Sequence, residues 1–334
     1  KGFNTSAILG FVNTLEEVLK KENPTHIGVA FDPSGPTFRH EAYEQYKAQR
    51  EETPEAIRLS VPIIKDIIRA YRIPILEVPG YEADDVIGTL ATEAGRQGIV
   101  TYMMTPDKDY GQLVSENVFM YRPKHSGGFE VMGIEEIKAK FDIQSTEQVI
   151  DMLGLMGDSS DNIPGCPGVG EKTAQKLVAE FGSIENLLAH TDRLKGALKT
   201  KVEANREMIA FSKFLATIKV DVPIKLDMNT LVREEPNEEE LRKIFEELEF
   251  RTLIDRVLKK TGSPLSSSSS SASPDPYAGT LFAQPTDGTT SGNNAPVQGD
   301  LFANFADNGT GDAKNSILTR LEMLDPDYQL IDTE

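Results

Sequence analysis

The chain has 334 residues, and its 53 acidic and 35 basic residues give a formal net charge of −18. No apolar run approaches the length that spans a bilayer, which argues against a membrane protein. A single cysteine, Cys166, cannot form an intramolecular disulfide, and the four histidines lack a zinc-binding spacing. This composition favours a reducing compartment, the cytoplasm, and the length predicts about two domains.

Strands and helices are predicted to alternate through the first hundred residues. Compact apolar runs predict the strands, and apolar residues at helical spacing predict the helices. In chain order these are a helix over residues 5–21, a strand over 25–31, a helix over 53–72, a strand over 73–78, a helix over 82–97 and a strand over 99–104. Parallel strands need long crossover connections, so this order predicts an α/β fold with a parallel sheet.

Carboxylates follow each of the three predicted strands. They are Asp32, then Glu82, Asp84 and Asp85, then Asp107 and Asp109. The carboxyl ends of parallel strands share one edge of a sheet, so these side chains should converge and would repel one another without a cation. Oxygen ligands favour Mg²⁺ or Mn²⁺ over Zn²⁺. The alternatives are an acidic helix cap in the second group and an ordinary turn in the third.

A glycine- and proline-rich run, GDSSDNIPGCPGVG, separates two predicted helices in the second half, over residues 145–156 and 171–181. Free backbone N–H groups at the start of the second helix, with Lys172 and Lys176 nearby, suit the phosphates of a nucleic-acid backbone. A P-loop is excluded because Glu171 stands where that motif requires lysine. A plain corner between two helices with glycine caps stays open as an alternative.

The segment after the first strand combines basic and aromatic residues, which suit phosphates and unstacked bases. They are Arg39, Tyr43, Tyr46, Lys47, Arg50 and Arg58. Several glutamates lie among them, so a solvated amphipathic helix explains the same pattern equally well.

Four motifs resemble the 5′ nuclease (5′-3′ exonuclease) domain of bacterial DNA polymerase I, in the structure-specific 5′ nuclease or flap endonuclease family. They are Phe31-Asp32 with Thr37-Phe38-Arg39, Glu82-Ala83-Asp84-Asp85, Asp107-Lys108-Asp109 and the run over residues 157–172. The resemblance covers about residues 1–260. It implies a PIN-like α/β catalytic part over residues 1–135 and a helix-hairpin-helix module of the three-helix type over residues 136–260.

The resemblance also implies a function and a set of site residues. The family cuts 5′ flaps and RNA primers from branched or nicked duplexes during replication and repair, with two Mg²⁺ or Mn²⁺ ions. By motif position, the first metal cluster is Asp32, Glu82, Asp84 and Asp85, and the second is Asp107, Asp109, Asp158 and Asp161. Asp107 lies between the clusters. Lys47 and Arg50 are expected on a helical arch, at the scissile phosphate. The other DNA-binding residues expected are Arg39, Tyr46, Gly165, Gly168, Gly170, Lys172 and Lys176, with a K⁺ ion at the hairpin.

Two departures from the family pattern affect these expectations. The family opens with a central strand that ends in a metal-binding aspartate, and this strand would precede Lys1. We therefore expect a fragment with a marginal fold, a weaker first metal site, little cleavage and residual duplex binding. Pro106 stands where many relatives have glycine, which should stiffen the loop without removing a ligand.

The last quarter of the chain differs in composition. Six consecutive serines and few large apolar residues predict a disordered linker over residues 261–315. Asp332-Thr333-Glu334 resembles the Asp-x-Glu of a proofreading exonuclease, which predicts the start of a 3′-5′ exonuclease-like domain over residues 316–334.

A five-residue stretch of this linker resembles the Gln-x-x-Leu-Phe peptide that binds the sliding clamp. The matching residues are Gln298, Leu301 and Phe302. The expected protein is a monomeric, nucleoid-associated enzyme that binds DNA and the clamp. The chief alternative is a non-catalytic fragment that binds DNA and tethers the clamp. A phosphotransferase with Asp107 as nucleophile is disfavoured, because that chemistry does not require seven further carboxylates.

Overall fold

The computed structural model describes residues 4–124 and 127–258. The helices of its first half are α1 (Ser6–Lys21), α2 (Phe38–Ala42), α3 (Glu55–Ala70), α4 (Ala83–Arg96) and α5 (Ile134–Phe141), with a 3₁₀ helix at Lys108–Leu113. The second half contains α6 (Gln148–Met156), α7 (Glu171–Phe181), α8 (Ile184–Ala189), α9 (Gly196–Ala204), α10 (Arg206–Ala216), α11 (Met228–Leu231), α12 (Glu238–Glu247) and α13 (Arg251–Leu253), a 3₁₀ helix at Thr191–Arg193 and a π-helical turn at Ile254–Leu258.

The predicted mixed α/β fold is confirmed, and so are the long helices, to within a few residues at each end. α1 and α3 pack together because each has one apolar face, and α12 completes their core through Leu241 and Phe245. α3 begins after Pro54, whose fixed φ suits the start of a helix. α4 ends before Gly98, which has a φ of +76° that glycine adopts readily.

The strands form two small sheets. β1 (Val29–Ala30) pairs in parallel with β2 (Ile75–Leu76), whereas β3 (Thr101–Met104) pairs in parallel with β4 (Val118–Pro123). β4 pairs antiparallel with β5 (Phe129–Met132). The prediction of one sheet through β1, β2 and β3 is therefore wrong for the residues that the structure describes. The sequence analysis missed β4 and β5, although two apolar runs around a glycine turn are a hairpin signal.

A cavity of about 670 Å³ separates β1 from β3. Residues 28–32 line one side of the cavity, and residues 101–107 line another. Because β1 leads into Asp32 and β3 leads into Asp107, the carboxylates that follow these strands also line the cavity.

The second half is helical, and its core is continuous with residues of β3 and β4. α6 packs against α7 and α10, and the chain between α6 and α7 turns sharply through the glycine-rich run. A Cβ atom at Gly157 would lie 2.4 Å from the Ile163 carbonyl oxygen, and one at Gly165 would lie 2.3 Å from the Gly157 nitrogen. Only glycine fits at these two positions, which fixes the path of the hairpin.

Within residues 4–124 and 127–258, no helix is both long and apolar enough to cross a membrane. The predicted linker (261–315), the predicted following domain (316–334) and the clamp-binding residues Gln298, Leu301 and Phe302 lie outside the described residues. The boundary placed at residue 135 stays a prediction.

Candidate active site

The first predicted metal cluster is assembled at the start of α4. Glu82 caps the helix, and one oxygen from each of Glu82, Asp84 and Asp85 lies within 4.8 Å of the others. Asp32, which follows β1, joins them because its Oδ1 accepts a hydrogen bond from the Ala83 N–H at 2.6 Å. The structure therefore brings together all four residues that the motifs assign to this cluster.

Two cations stabilise the ionised form of Glu82. Arg39 Nη1 donates to Glu82 Oε2 at 2.9 Å, and Lys47 Nζ donates to Glu82 Oε1 at 2.6 Å. Burial acts to raise the pKa of this carboxyl group, but the charges of Lys47 and Arg39 lower it to about 2. Glu82 is therefore held as a carboxylate in the metal-free protein.

The second cluster follows β3 and the hairpin. Asp107 Oδ1 accepts from the Asp109 N–H at 2.9 Å, at the start of the 3₁₀ helix. Asp158 Oδ1 accepts from the Ser160 N–H at 2.7 Å, within the hairpin. Burial raises the pKa of Asp109, and the negative charges of Asp107, Asp158 and Asp161 raise it further. These four carboxylates are therefore close enough to interact.

Tyr46, Lys47 and Arg50 connect the two clusters. The Tyr46 hydroxyl lies 2.9 Å from Glu82 Oε2 and 3.1 Å from Asp161 Oδ2. Lys47 Nζ, bonded to Glu82, lies 3.8 Å from Asp161 Oδ2, and Arg50 Nη2 donates to Asp161 Oδ1 at 2.6 Å. The two acidic groups therefore belong to one continuous site.

Two carboxylate oxygens in this site are buried without a hydrogen-bond donor, although Arg39 Nη1 lies 4.0 Å from one of them, Asp84 Oδ1. Asp84 Oδ1 and Asp109 Oδ1 have no hydrogen-bond donor in the part of the chain that the structure describes. Burial raises the pKa of Asp84 as well as that of Asp109. An unpaired buried oxygen is costly, and a hard cation is a natural partner for it. One oxygen of this kind lies in each acidic group, and among the described residues Glu82, Asp84 and Asp85 have ligand atoms close enough together to hold a metal ion.

The structure corrects two expected DNA contacts. Arg39 and Tyr46 are 1% and 3% exposed, so neither side chain can reach a phosphate at the surface. The residues expected on one helical segment are divided, because α2 ends at Ala42, turns follow it, and α3 begins at Glu55. The buried carboxylates at α4 need an internal cation, and Arg39 supplies it. The alternative of a single solvated helix is also wrong, because this segment is divided into α2, turns and α3.

The predicted residues of the hairpin occupy different environments. Gly165 is buried, whereas Gly168, Gly170 and the side chains of Lys172 and Lys176 are exposed. The two lysines lie on α7, directly after the hairpin. The structure therefore leaves the exposed glycines and both lysines accessible to a ligand.

Two lysines at the site were missed by the sequence analysis. Lys201, on α9, places its Nζ 2.5 Å from where a Cβ at Gly168 would lie. Lys108 bonds Asp158 and has a raised pKa, since Asp109 and Asp158 outweigh the opposing effect of burial. No sequence pattern connects Lys201 with the hairpin, but Lys108 lies inside a motif that was already recognised.

Two family models match successive parts of the chain. Residues 1–142 match the 5′-3′ exonuclease N-terminal resolvase-like domain, and residues 144–239 match the 5′-3′ exonuclease C-terminal SAM fold. A 5′-3′ exonuclease of Aquifex aeolicus is 38% identical over 259 residues, which cover 78% of this chain and 87% of that protein. The chain belongs to the 5′-3′ exonuclease family. The family that the motifs indicated is thereby confirmed, and it is a family of nucleases.

Other members of the 5′-3′ exonuclease family are longer. DNA polymerase I of Bacillus caldotenax is 41% identical over 259 residues, which cover 77% of this chain and 29% of the polymerase. DNA polymerase I of Bacillus subtilis is 42% identical over the same length. The chain thus spans less than a third of the length of these polymerase relatives.

Solved structures share the fold of this 5′-3′ exonuclease chain. T5 5′-exonuclease, with bound divalent metal ions (zinc), is 21% identical with a TM-score of 0.57, over 73% of this chain and 91% of that one. The catalytic core of Rad2 in complex with DNA substrate is 18% identical with a TM-score of 0.52, over 78% and 86% of the two chains.

Proposed function

We propose that the chain is a two-metal nuclease that hydrolyses phosphodiesters at 5′ ends and 5′ flaps of branched or nicked DNA and at RNA–DNA junctions. This activity would serve replication and repair within a DNA polymerase I-like protein of the cytoplasm, associated with the nucleoid. The observation that carries the proposal is the convergence of carboxylates from four separate segments on one site. The family membership supports it, because two 5′-3′ exonuclease family models match successive parts of the chain and a 5′-3′ exonuclease aligns with it over 87% of that protein.

The donor set fits two hard divalent cations, Mg²⁺ or Mn²⁺. Asp32, Glu82 and Asp84 would hold one ion, with Asp85 behind them. The other would be held by Asp107, Asp109, Asp158 and Asp161. The oxygens of Asp84 and Asp109 that lack a hydrogen-bond donor support this fit. The chemistry that two such ions supply is activation of a water molecule and stabilisation of the leaving 3′ oxygen.

Lys47 and Arg50 are the cations that we assign to the scissile phosphate. Both line the cavity, and both are partly exposed, with 18% and 27% of their side chains accessible. They pair with Glu82 and Asp161, and these ion pairs offset part of the repulsion between the two clusters. Metal binding would neutralise those carboxylates, so that both cations could turn to the phosphate of a bound strand.

We assign the binding of duplex DNA to the hairpin. Gly168 and Gly170 have no side chains that would keep a phosphate away from the backbone, and Lys172 and Lys176 provide positive charge beside them. Lys201 adds a third amino group next to Gly168. A K⁺ ion bound between the hairpin and a phosphate belongs to the same proposal. The Rad2 core in complex with DNA substrate supports a DNA partner for this fold.

The test is cleavage of a labelled 5′-flap duplex by the chain in Mg²⁺ or Mn²⁺ and in excess chelator. We expect weak, metal-dependent cleavage that Asp107→Ala abolishes while DNA binding remains. Asp192→Ala, which changes an exposed carboxylate outside both clusters, should cleave normally. Equal cleavage in chelator would refute the metal-dependent mechanism. DNA binding without cleavage under every metal condition would favour the non-catalytic alternative.

Two further parts of the proposal concern partners. The segment that contains Gln298, Leu301 and Phe302 is proposed to bind the sliding clamp, and titration of a labelled 295–304 peptide with the clamp tests this. The chain is proposed to act as a monomer, which light scattering of the purified protein measures.

A further inference from the structure

Asp85 differs from its neighbours in the first cluster because its hydrogen-bonding capacity is filled. Its side chain is completely buried. Oδ1 accepts from Arg39 Nη2 and from the Lys219 N–H, each at 2.8 Å. Oδ2 accepts from Arg39 Nη1 at 2.8 Å and from the Glu82 N–H at 3.1 Å. A carboxylate offers about four lone-pair sites, and all of them are directed at donors from the protein.

Arg39 is equally saturated. A guanidinium group has five N–H donors, and here each has an acceptor. Two go to Asp85 and one goes to Glu82 Oε2. The remaining two go to the backbone oxygens of Leu215, at 2.9 Å from Nε, and Thr217, at 2.8 Å from Nη2. The ion pair therefore joins the first turn of α4 to the end of α10.

The segment after α10, residues 217–222, is held to the first half of the chain by side chains. Asp85 accepts from the Lys219 N–H, and the Gln112 Oε1 accepts from the Ile218 N–H at 2.8 Å. At its far end, the Thr89 Oγ1 accepts from the Val222 N–H at 3.1 Å. We call residues 217–222 the connecting segment. Asp85 is thus one of several anchors for this segment.

Asp84, one residue earlier, has the opposite properties. Its Oδ1 has no hydrogen-bond donor, and it lines the cavity together with Glu82. Asp85 lies behind them, and a metal ion could reach it only if Arg39 or a backbone N–H were displaced. Resting on the function proposed above, we propose that Asp85 is a positioning residue that binds no metal: with Arg39 it holds Glu82 and Asp84 toward the cavity.

The decisive experiment counts bound Mn²⁺ by electron paramagnetic resonance and measures melting in excess chelator, for the wild-type chain, Asp84→Asn and Asp85→Asn. Wild type should bind two ions. Asp85→Asn should keep both ions but melt at a lower temperature in chelator, because it breaks the pair with Arg39. Asp84→Asn should lose an ion and melt at the same or a higher temperature, because it removes a repelling charge.

Steady-state cleavage of 5′-flap DNA separates positioning from simple structural support. Asp85→Asn should lower kcat at least about tenfold with little change in KM, because Glu82 and Asp84 move in the reacting complex. Thr89→Ala is the matched control, since it releases the connecting segment at Val222 and loses the hydroxyl bond to the Asp85 backbone oxygen but leaves the Asp85 carboxylate and its pair with Arg39 in place. It should lower the melting temperature and leave kcat within about twofold.

Mn²⁺ binding and melting together distinguish a metal ligand from a positioning residue at Asp85. Loss of one Mn²⁺ from Asp85→Asn, with melting in chelator unchanged or raised, would make Asp85 a ligand and overturn the inference. If Asp85→Asn does not fold at all, the loss of stability is simply larger than expected. In that case Arg39→Gln/Asp85→Asn, which removes one buried positive and one buried negative charge and leaves Glu82 paired with Lys47, should fold and bind two ions, and one ion there would also overturn it. A wild-type chain that binds no Mn²⁺ would contradict the proposed function instead.

Discussion

Replacing Asp109 with asparagine should change stability in opposite directions with and without metal. In chelator, the wild-type side chain keeps one oxygen buried without a donor, and Asp107 and Asp158 repel its charge. An unsatisfied buried polar group costs about 1–3 kcal/mol. Asp109→Asn removes the charge at constant shape, so we expect it to gain about 1–2 kcal/mol in chelator. That gain corresponds to a rise of about 2–8 °C in melting temperature for a chain of this size.

In the presence of metal, wild type should be more stable than Asp109→Asn. A ligand at a hundred times its dissociation constant stabilises the folded state by about 2.7 kcal/mol for each site. Wild type should therefore gain stability from two sites in saturating Mn²⁺, whereas Asp109→Asn gains from about one. Differential scanning calorimetry in chelator and in Mn²⁺ measures both differences. Asp192→Asn, an exposed carboxylate outside the clusters, is the control and should follow wild type in both buffers.

The pH dependence gives an independent check in chelator. Burial raises the folded-state pKa of Asp109 above its unfolded value of about 4. A carboxyl group with a raised folded pKa costs stability as the pH rises above the unfolded value, because the unfolded chain then ionises more readily. The advantage of Asp109→Asn should therefore be larger near pH 8 than near pH 5. If the variant melted below wild type in chelator, the account of an unsatisfied carboxylate would be refuted.

Three further predictions use other parts of the structure. Lys47→Ala should lower 5′-flap cleavage by about 10- to 100-fold, whereas Lys138→Ala, which removes a surface pair with Glu135 on α5, should not, as measured by single-turnover kinetics. Gly168→Ala should lose about 1–2 kcal/mol and bind duplex DNA more weakly by fluorescence anisotropy, because φ is +75° and a Cβ would meet Lys201. Gly170→Ala, whose Cβ meets no protein atom within 4 Å, should keep the stability of wild type but also bind duplex DNA more weakly, because the methyl group would hold a phosphate away from the backbone. Burial lowers the pKa of His40 in the folded state, so wild type should lose stability relative to His40→Asn as the pH falls below about 6.5. Urea unfolding at several pH values measures this, and the same dependence of stability on pH in both proteins would contradict it.

The positions of the acidic groups could be predicted because they follow from topology. A residue directly after a parallel strand lies at the carboxyl edge of its sheet, so Asp32, which follows β1, could be placed near the acids that follow β2. Asp107 and Asp109 line the same cavity as Asp32 although β3 belongs to the second sheet. The tight turn of the hairpin could also be predicted from its glycines, since a Cβ at Gly157 or Gly165 would clash with the backbone. These signals are local in the sequence, so a metal site at the carboxylates and a phosphate-binding hairpin could be predicted from them.

The roles of Arg39 and Asp85 could not be predicted in the same way. Arg39 lies among basic and aromatic residues, and its partners at Leu215 and Thr217 are about 176 residues away in the chain. A pattern of charges shows which cations exist but not which of them is buried against a carboxylate. Likewise, the separate β3–β4–β5 sheet depends on packing between elements, which the period of a single strand does not specify.

Anomalous diffraction from crystals of the chain soaked in Mn²⁺ would show directly whether the two carboxylate clusters bind metal. We expect two peaks about 4 Å apart in the site between β1 and β3, one beside Asp32, Glu82 and Asp84 and one beside Asp107 and Asp109. Asp109→Asn crystals should retain only the first peak. A map without a peak at either cluster in saturating Mn²⁺ would contradict the assignment of these carboxylates as a two-metal site.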